Sequence, residues 1–442
     1  MKYYSTKSKI MGGFKDGASF ATAALTGLAP DGGLFVPAEI PRYPKAVITS
    51  FLKMAFHDIA VETIKPFVEG EVPISTLEDI VQSAFNFPAP LAAVGDRLVL
   101  ELFHGPTAAF KDFGARFMAL TFSFLRRGED KPLRILVATS GDTGGAVADG
   151  FFGVEGVFVT VLYPQGRVSP LQERQIAGLG GNIEAIAVQG GFDDCQRLVK
   201  AAFMNESLKK RMVLSSANSI NVARLIPQAV YYAAASADAL KRSVSDHWRW
   251  RSNSPISFCV PSGNFGNLTA GLYAYAMGVP IKRFVAATNI NKTVPEYLQT
   301  GIYSPRESQK TLSTAMDVGA PNNFDRMTAH WSLETLRKII DGVWVSDEDT
   351  QRIIADVHEK YDYFLDPHTA VGWAGLDKLN IRSVMNPDPY AVLATAHPAK
   401  FAEIVEPLTG PIPVPLVIQN VMSREPRSKT IPADLDALLE VI

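Results

Sequence analysis

The feature that most constrains this chain is an alternation of short apolar segments that read as strands with segments of helical spacing. "RLVLELF" reads as a strand running into a loop, and "KDFGARFMALTFSFLRR" as the helix after it. "LRILVAT" is a buried strand, followed by "SGDTG" and the helix "GAVADGFFG". "VFVTVLY" is a third strand, and the helix "SPLQERQIAGLG" follows with Ser169 as N-cap and Pro170 at the first helical position. "IEAIAVQG" with "FDDCQRLVKAAFM" forms a further pair, and "PISFCVPSGNFGNLTAGLYAYAMG" is the clearest strand–loop–helix. Apolar strands alternating with helices predict an α/β fold with mainly parallel sheets. Upstream, helical spacing from "VITSFLKMAF" to "LEDIVQSAF" stops at "NFPAP", and "GLAPDGGLFVP" (27–37) reads as a loop over the surface or into a cleft. "SVSDHWRWRSNSP" (243–255) reads as a surface connection near a domain junction.

Composition narrows the partners. A length of 442 residues gives core for two or three domains, and 47% hydrophobic with 20% charged residues suits a globular fold. A net charge of −2 without a long Lys/Arg run argues against nucleic acid. The start "MKYYSTKSKIMGGF" lacks the apolar core of a signal peptide, and no apolar run is long enough for a membrane span. Cys195 and Cys259 form no CxxC, so a disulfide framework or zinc site is not expected, which fits the cytoplasm. The seven histidines show no ligand spacing, and no metal is expected.

Ligands of parallel α/β sheets sit at the carboxyl ends of strands, and three unusual loops fall there. In "VPSGNFGN", Gly263, Asn264, Phe265, Gly266 and Asn267 precede a helix; glycines and the positive helix end suit a phosphate. On spacing alone a tight turn is equally compatible, and the loop is neither a Walker A nor a GxGxxG pattern. In "ATSGDTGGAVA", Ser140, Gly141, Asp142, Thr143 and Gly144 suit a carboxylate at another helix start, or Ser140 or Asp142 simply caps the helix. In "LFHGPTAAFKDFGARF", Lys111 follows Phe110 and two alanines, as if its ammonium entered a pocket; desolvation there would free the neutral amine, whereas a snorkelling side chain is the plain alternative. A reactive amine, a non-nucleotide phosphate cup and a carboxylate loop together describe pyridoxal 5′-phosphate (PLP) and an amino-acid substrate. In "AVLATAHPAKF", a strand ending at Ala394 would leave the Thr395 hydroxyl to meet the pyridine nitrogen, with His397 and Lys400 close by.

These stretches, with "YYSTK", "GLAPDGGLFVP", "FHGPTAAFKDFG" and "SSANSINVARL", resemble the threonine synthase family, PLP enzymes of fold type II, over most of the chain. The likeness is to the longer bacterial and fungal branch; no extra N-terminal regulatory region of the plant kind is evident. The resemblance implies a tryptophan synthase β-like fold with mainly parallel sheets in two domains and an N-terminal extension. It implies that Lys111 is the Schiff-base lysine, that Gly263, Asn264, Phe265, Gly266 and Asn267 hold the cofactor phosphate, and that Thr395 faces the pyridine nitrogen. The Ser140–Gly144 loop would receive the substrate carboxylate. Many fold type II enzymes have Asn where this chain has Asp142, which puts a side-chain contact to the cofactor in doubt. Ser216, Asn218, Asn221 and Arg224 lie near one helix start, either to grip substrate or as a structural cap. Lys400, Arg224 and His104 are the candidates for the substrate's phosphate.

The implied reaction converts O-phospho-L-homoserine and water to L-threonine and inorganic phosphate, the last step of threonine biosynthesis. A phospholyase or a serine/threonine dehydratase on the same scaffold is the alternative, distinguished by product, and a non-catalytic binding protein is argued against by Lys111 and "SGNFGN". The expected organisation is an N-terminal region at 1–90 packing on the large domain, a large PLP-binding domain at 91–130 and 231–442, and a small mobile domain at 131–230. A small-molecule substrate is expected, with neither nucleic acid nor membrane; a monomer is expected, with a dimer as the alternative.

Overall fold

A computed structural model gives the structure of residues 1–11, 17–242, 254–381 and 388–442. Nearly all of the 243–255 connection lies outside the described residues. The strands, in chain order, are β1 (Tyr3–Ser5), β2 (Phe35–Pro37), β3 (Leu91–Val94), β4 (Arg97–Glu101), β5 (Leu133–Ala138), β6 (Val157–Pro164), β7 (Ile183–Gln189), β8 (Val213–Ser216), β9 (Ile256–Pro261), β10 (Ile281–Thr288), β11 (Ile340–Trp344), β12 (Tyr390–Ala394) and β13 (Ser428–Pro432).

They form three sheets. The large one has the order β11-β10-β9-β12-β4-β3 and the small one β13-β7-β6-β5-β8. The large sheet is parallel from β11 to β4, with β12 registered on β4 (Ala391 opposite Leu98) and β9 (Tyr390 opposite Ser257); β3 joins antiparallel. The small sheet is parallel throughout. The cause is visible in the residues: β9 and β12 are buried at every position, so apolar side chains leave both faces and each face needs a cover of helices.

Two features differ from the reading above. "LFVP" is not a loop over the surface: Phe35–Pro37 is wholly buried and pairs antiparallel with Tyr3–Ser5. The C-terminal segment does not stay with the large sheet, unlike the expected large domain at 231–442. β13 pairs with β7 (Ser428 opposite Ala185), and Ile431 and Leu438 are buried in the core of the small sheet. β13 occupies a free edge of β7, and the residues after it bury an apolar face there.

Five helices bear on the site: α1 (Lys111–Leu125), α2 (Asp142–Phe151), α3 (Pro170–Ala177), α4 (Gly266–Ala276) and α5 (Pro367–Lys378). α1 is fixed by Phe113, Phe117, Met118 and Phe122, all essentially inaccessible, each contributing about 1.5–3 kcal/mol of burial. Gly114 on the same helix touches a second backbone, since a Cβ there would stand 2.8 Å from the Arg224 carbonyl oxygen. α3 starts with a capping box at Ser169: its Oγ accepts from Gln172 N (3.2 Å) while Gln172 Oε1 accepts from Ser169 N (3.1 Å). The carboxyl ends of β9, β12 and β4 lie side by side, and α4 and α1 begin just beyond two of them.

Candidate active site

The loop between β4 and α1 is stitched to the segment after β12. Leu102 N donates to the Ala394 carbonyl (3.0 Å), Phe110 N to that of Thr395 (2.9 Å), and His397 N to that of Ala108 (3.0 Å). Ala108 is held at φ 55°, a left-handed conformation that costs an L-residue about 1–2 kcal/mol. Asp112 ties the loop from below, accepting from Thr107 N (2.9 Å) and the Thr107 hydroxyl. Burial pushes the Asp112 carboxyl up to about 7 against those two hydrogen bonds. Lys111 and Thr395, 284 residues apart in the chain, are thereby fixed on one wall.

Lys111 opens α1 with a largely buried side chain. Burial pulls its pKa down to about 8; the Asp142 carboxylate opposes this, and Arg224 and Lys400 reinforce it. Asp142 Oδ2 is 4.0 Å from Lys111 Nζ. Asp142 Oδ1 accepts from Lys400 Nζ (2.8 Å) and from Gln172 Nε2 (3.1 Å). Burial alone would raise the Asp142 carboxyl, but Lys400 and Lys111 outweigh it and hold it well below the usual carboxylate range. The cap of α2 is Gly141, with no side-chain cap bond, so neither Ser140 nor Asp142 serves as cap. Only glycine fits at that cap, because a Cβ there would stand 2.4 Å from Gln172 at φ 141°. Thr139 Oγ1 shapes the loop by accepting from Gly141 N (3.0 Å) and Gly144 N (2.9 Å); Ser140 and Thr143 are half-buried.

After β9 the chain makes the turn that starts α4. Phe265 sits at φ 60°, and the first bond back is from Thr269 N to the Phe265 carbonyl (3.0 Å), so the helix amides ahead of it have no intrahelical partner. Gly263 lies against another backbone, where a Cβ would stand 2.5 Å from the Ala315 carbonyl oxygen. Asn264 Oδ1 accepts from Asn322 N and Nδ2, both 3.3 Å. Asn267 Oδ1 accepts from Tyr231 OH (2.7 Å) and Tyr232 OH (2.6 Å), while its Nδ2 is buried with no partner. A donor left unpaired in a buried site costs about 1–3 kcal/mol unless a ligand takes it.

The "SSANSINVARL" residues are tied into the frame. Asn218 Nδ2 donates to the Ala138 carbonyl (2.8 Å) and Ser216 Oγ to Asn218 Oδ1 (3.1 Å), joining the ends of β5 and β8. Asn221 is an N-cap, accepting from Ala223 N (2.9 Å). Buried Arg224 donates through Nη1 to the Ala217 carbonyl (2.6 Å), and its Nε has no partner. Of the candidates for the substrate's phosphate, Lys400 is committed to Asp142 and the Thr107 carbonyl (2.9 Å), and His104 pairs with Glu101 (2.7 Å). Gln172 and the pair Asp366–His368 also border the cluster and were not singled out in the sequence. Their local signal was ordinary: a capping-box glutamine, and an N-cap aspartate before a proline.

This set fits PLP: a lysine with depressed pKa, an unpaired buried amide donor, free helix-start amides and a glycine pressed on backbone at the carboxyl edge. Comparison with known proteins agrees. Residues 89–396 match the family model described as pyridoxal-phosphate dependent enzyme, 2–85 the threonine synthase N terminus, and 369–442 the threonine synthase C-terminal region. The chain is 44% identical to the threonine synthase of Escherichia coli K12, covering 100% of this chain and 99% of that one. The chain belongs to the threonine synthase family. Membership makes PLP its cofactor and fold type II its fold. The structure superposes on PLP-bound threonine synthase from Brucella melitensis with a TM-score of 0.89 at 33% identity, covering 100% of this chain and 98% of that one. For threonine synthase from yeast the TM-score is 0.88 at 32% identity, with 100% and 97% covered.

Proposed function

We propose that this chain converts O-phospho-L-homoserine and water to L-threonine and inorganic phosphate, as a carbon–oxygen lyase acting on a phosphate ester. The observation that carries the site reading is the Lys111 amine, buried beside Asp142 with its pKa near 8. When bound, PLP supplies an electron sink for the carbanion formed at the substrate's Cα.

In this reading Lys111 holds the cofactor at rest and is the base that takes the Cα proton. At pH 7 a pKa near 8 leaves about a tenth of the amine neutral, against roughly one part in three thousand at 10.5. Once protonated, Lys111 lies 4.0 Å from Asp142. At that separation an effective dielectric constant of about 20 gives an attraction of roughly 4 kcal/mol. Asp142 thus steadies the ammonium form of Lys111 whenever the amine holds a proton taken from the substrate. Lys400 and Gln172 occupy the other carboxylate oxygen and stop Asp142 from turning away. The residues Gly263–Asn267 would hold the cofactor phosphate and Thr395 would face the pyridine nitrogen. The Ser140–Gly144 loop would take the substrate carboxylate at the positive end of α2, through amides that Thr139 does not hold.

Water must add at Cβ only after phosphate has left Cγ, so bulk water has to be kept out until then. We assign that to a small unit around residues 131–230, extended by β13, closing over the large one. The reading takes the protein as a monomer working in the cytoplasm; no helix among the described residues is long and apolar enough to cross a membrane. The test is product analysis of PLP-loaded protein given O-phospho-L-homoserine. Threonine and phosphate in equal amounts are expected. Phosphate with 2-oxobutyrate and no threonine would assign a phospholyase instead, and no product would overturn the reading.

A further inference from the structure

The mechanism leaves unused a buried acid–imidazole pair at the start of α5. Asp366 caps that helix, and its two oxygens receive four donors: His368 N (2.9 Å) and His368 Nδ1 (2.7 Å) on Oδ1, Thr369 N (3.3 Å) and the Thr369 hydroxyl on Oδ2. Both residues are almost inaccessible, Asp366 at 1% and His368 at 3%. Since Asp366 accepts, the ring hydrogen is on Nδ1, and Nε2 presents a lone pair. That lone pair receives the Ala315 amide (3.2 Å). The Ala315 carbonyl is the group that Gly263 lies against. A chain of contacts therefore runs from Asp366 through the imidazole and the backbone of one residue, Ala315, to the first glycine of the "SGNFGN" turn. Phe401, next to Lys400, packs edge-on against the ring at 5.0 Å between centroids.

We infer that His368 is a positioning residue for the phosphate cup: locked by Asp366 as the Nδ1–H tautomer, it accepts the Ala315 amide and so sets the wall that Gly263 needs. The inference rests on the reading of Gly263–Asn267 as the seat of the cofactor phosphate, and goes beyond it by naming what holds the cup in shape. His368 does not touch the reacting atoms in this assignment; it acts through the backbone of Ala315. A glutamine side chain places an amide oxygen near the position of Nε2 and still accepts from Ala315, whereas asparagine, mimicking Nδ1, leaves that amide without a partner. Loss of one hydrogen bond of ordinary strength corresponds to about a tenfold change in binding.

The experiment titrates full-length wild type, His368→Asn and His368→Gln, freed of cofactor, with PLP and separately with pyridoxal, which lacks the phosphate, reading the cofactor absorbance band. Wild type is expected to prefer PLP strongly. His368→Asn should weaken PLP binding about tenfold and leave pyridoxal binding within about twofold, and His368→Gln should restore most of the PLP affinity. A general structural defect would weaken both compounds alike, and that result overturns the inference. So does a His368→Asn protein that binds PLP as wild type does. If wild type itself binds PLP and pyridoxal equally, the cup reading fails and takes this inference with it. Thermal melts of the three proteins accompany the titration, and if His368→Asn does not fold, His368→Gln alone decides: PLP affinity within threefold of wild type supports the inference, and a tenfold loss overturns it.

Discussion

Replacing Lys400 by methionine should destabilise the protein severely. Lys400 is 1% exposed, and its ammonium has two partners, Asp142 Oδ1 at 2.8 Å and the Thr107 carbonyl at 2.9 Å. Coulomb's law at an effective dielectric constant of about 20 gives roughly 6 kcal/mol for unit charges at that separation. Methionine has similar length and fills the space, so little cavity term is added. What remains is a buried carboxylate that has lost its nearest cation and keeps only Gln172 Nε2 and the more distant Lys111. Breaking one side of such a pair costs about 3–5 kcal/mol. The sign with pH follows from Asp142, whose folded pKa lies below the ordinary carboxylate value. Its stabilisation is complete above a pH of about 4 and is lost as pH falls through the folded pKa, so the gap between wild type and variant should be full at pH 7 and close in acid. The assay is chemical unfolding of cofactor-free wild type, Lys400→Met, Asp142→Asn and the double variant. Removing both charges should recover most of the loss, to within about 1 kcal/mol of wild type, because asparagine still accepts from Gln172. A Lys400→Met protein within about 0.5 kcal/mol of wild type, or a double variant no more stable than Lys400→Met, would refute the reasoning.

Lys111→Ala should still take up PLP weakly while turnover falls by roughly three orders of magnitude or more, and near-native turnover would remove the base from the mechanism. In cofactor-free wild type, acylation of Lys111 followed by peptide mass should rise with pH through a midpoint near 8, because burial favours the neutral amine; a midpoint near 10.5 would contradict that desolvation. Gly263→Ala brings a Cβ to 2.5 Å from the Ala315 carbonyl, a backbone atom that cannot step aside, and should weaken PLP binding about tenfold or more with the fold retained, as read by cofactor titration and a thermal melt. Arg326 is fully buried and donates to carbonyls of Phe35 (3.1 Å), Ser219 (3.2 Å) and Ile220 and to Asn323 Oδ1 (2.7 Å), joining the N-terminal region to the wall of the site. Arg326→Met should therefore cost about 3 kcal/mol or more and expose β2 to limited proteolysis, and unchanged protease resistance would count against that bracing role.

The parts of this structure that sequence discloses are those decided by neighbours in the chain. β9 is legible because a nearly continuous apolar run must be buried on both faces, and the start of α3 because Ser169 and Gln172 satisfy each other around a proline at the first helical position. What is opaque is whatever a distant partner decides. "GLFVP" carries turn residues and reads as loop, yet becomes β2 because Tyr3–Ser5 arrives to pair with it. β13 is a mostly exposed strand whose place on the small sheet depends on an edge formed far upstream.

Lys400 makes the same point at the site itself. In "AHPAKF" it sits after a proline and reads as a candidate for the substrate's phosphate, but it is buried because Asp142, 258 positions earlier, supplies the countercharge. Even so, one local sign distinguishes it. Lys400 stands between Ala399 and Phe401 as Lys111 stands after two alanines and Phe110. A lysine set among apolar neighbours has no polar face to join, and the cost of desolvating its ammonium must be offset by a carboxylate or avoided by giving up the proton. Here one carboxylate serves two such lysines. Asp142 sits within hydrogen-bonding distance of Lys400 and more than a full ångström farther from Lys111, whose pKa burial pulls down to about 8 against the weaker pull of that carboxylate. The unequal distances to a single acid separate the lysine held in an ion pair from the one proposed to react.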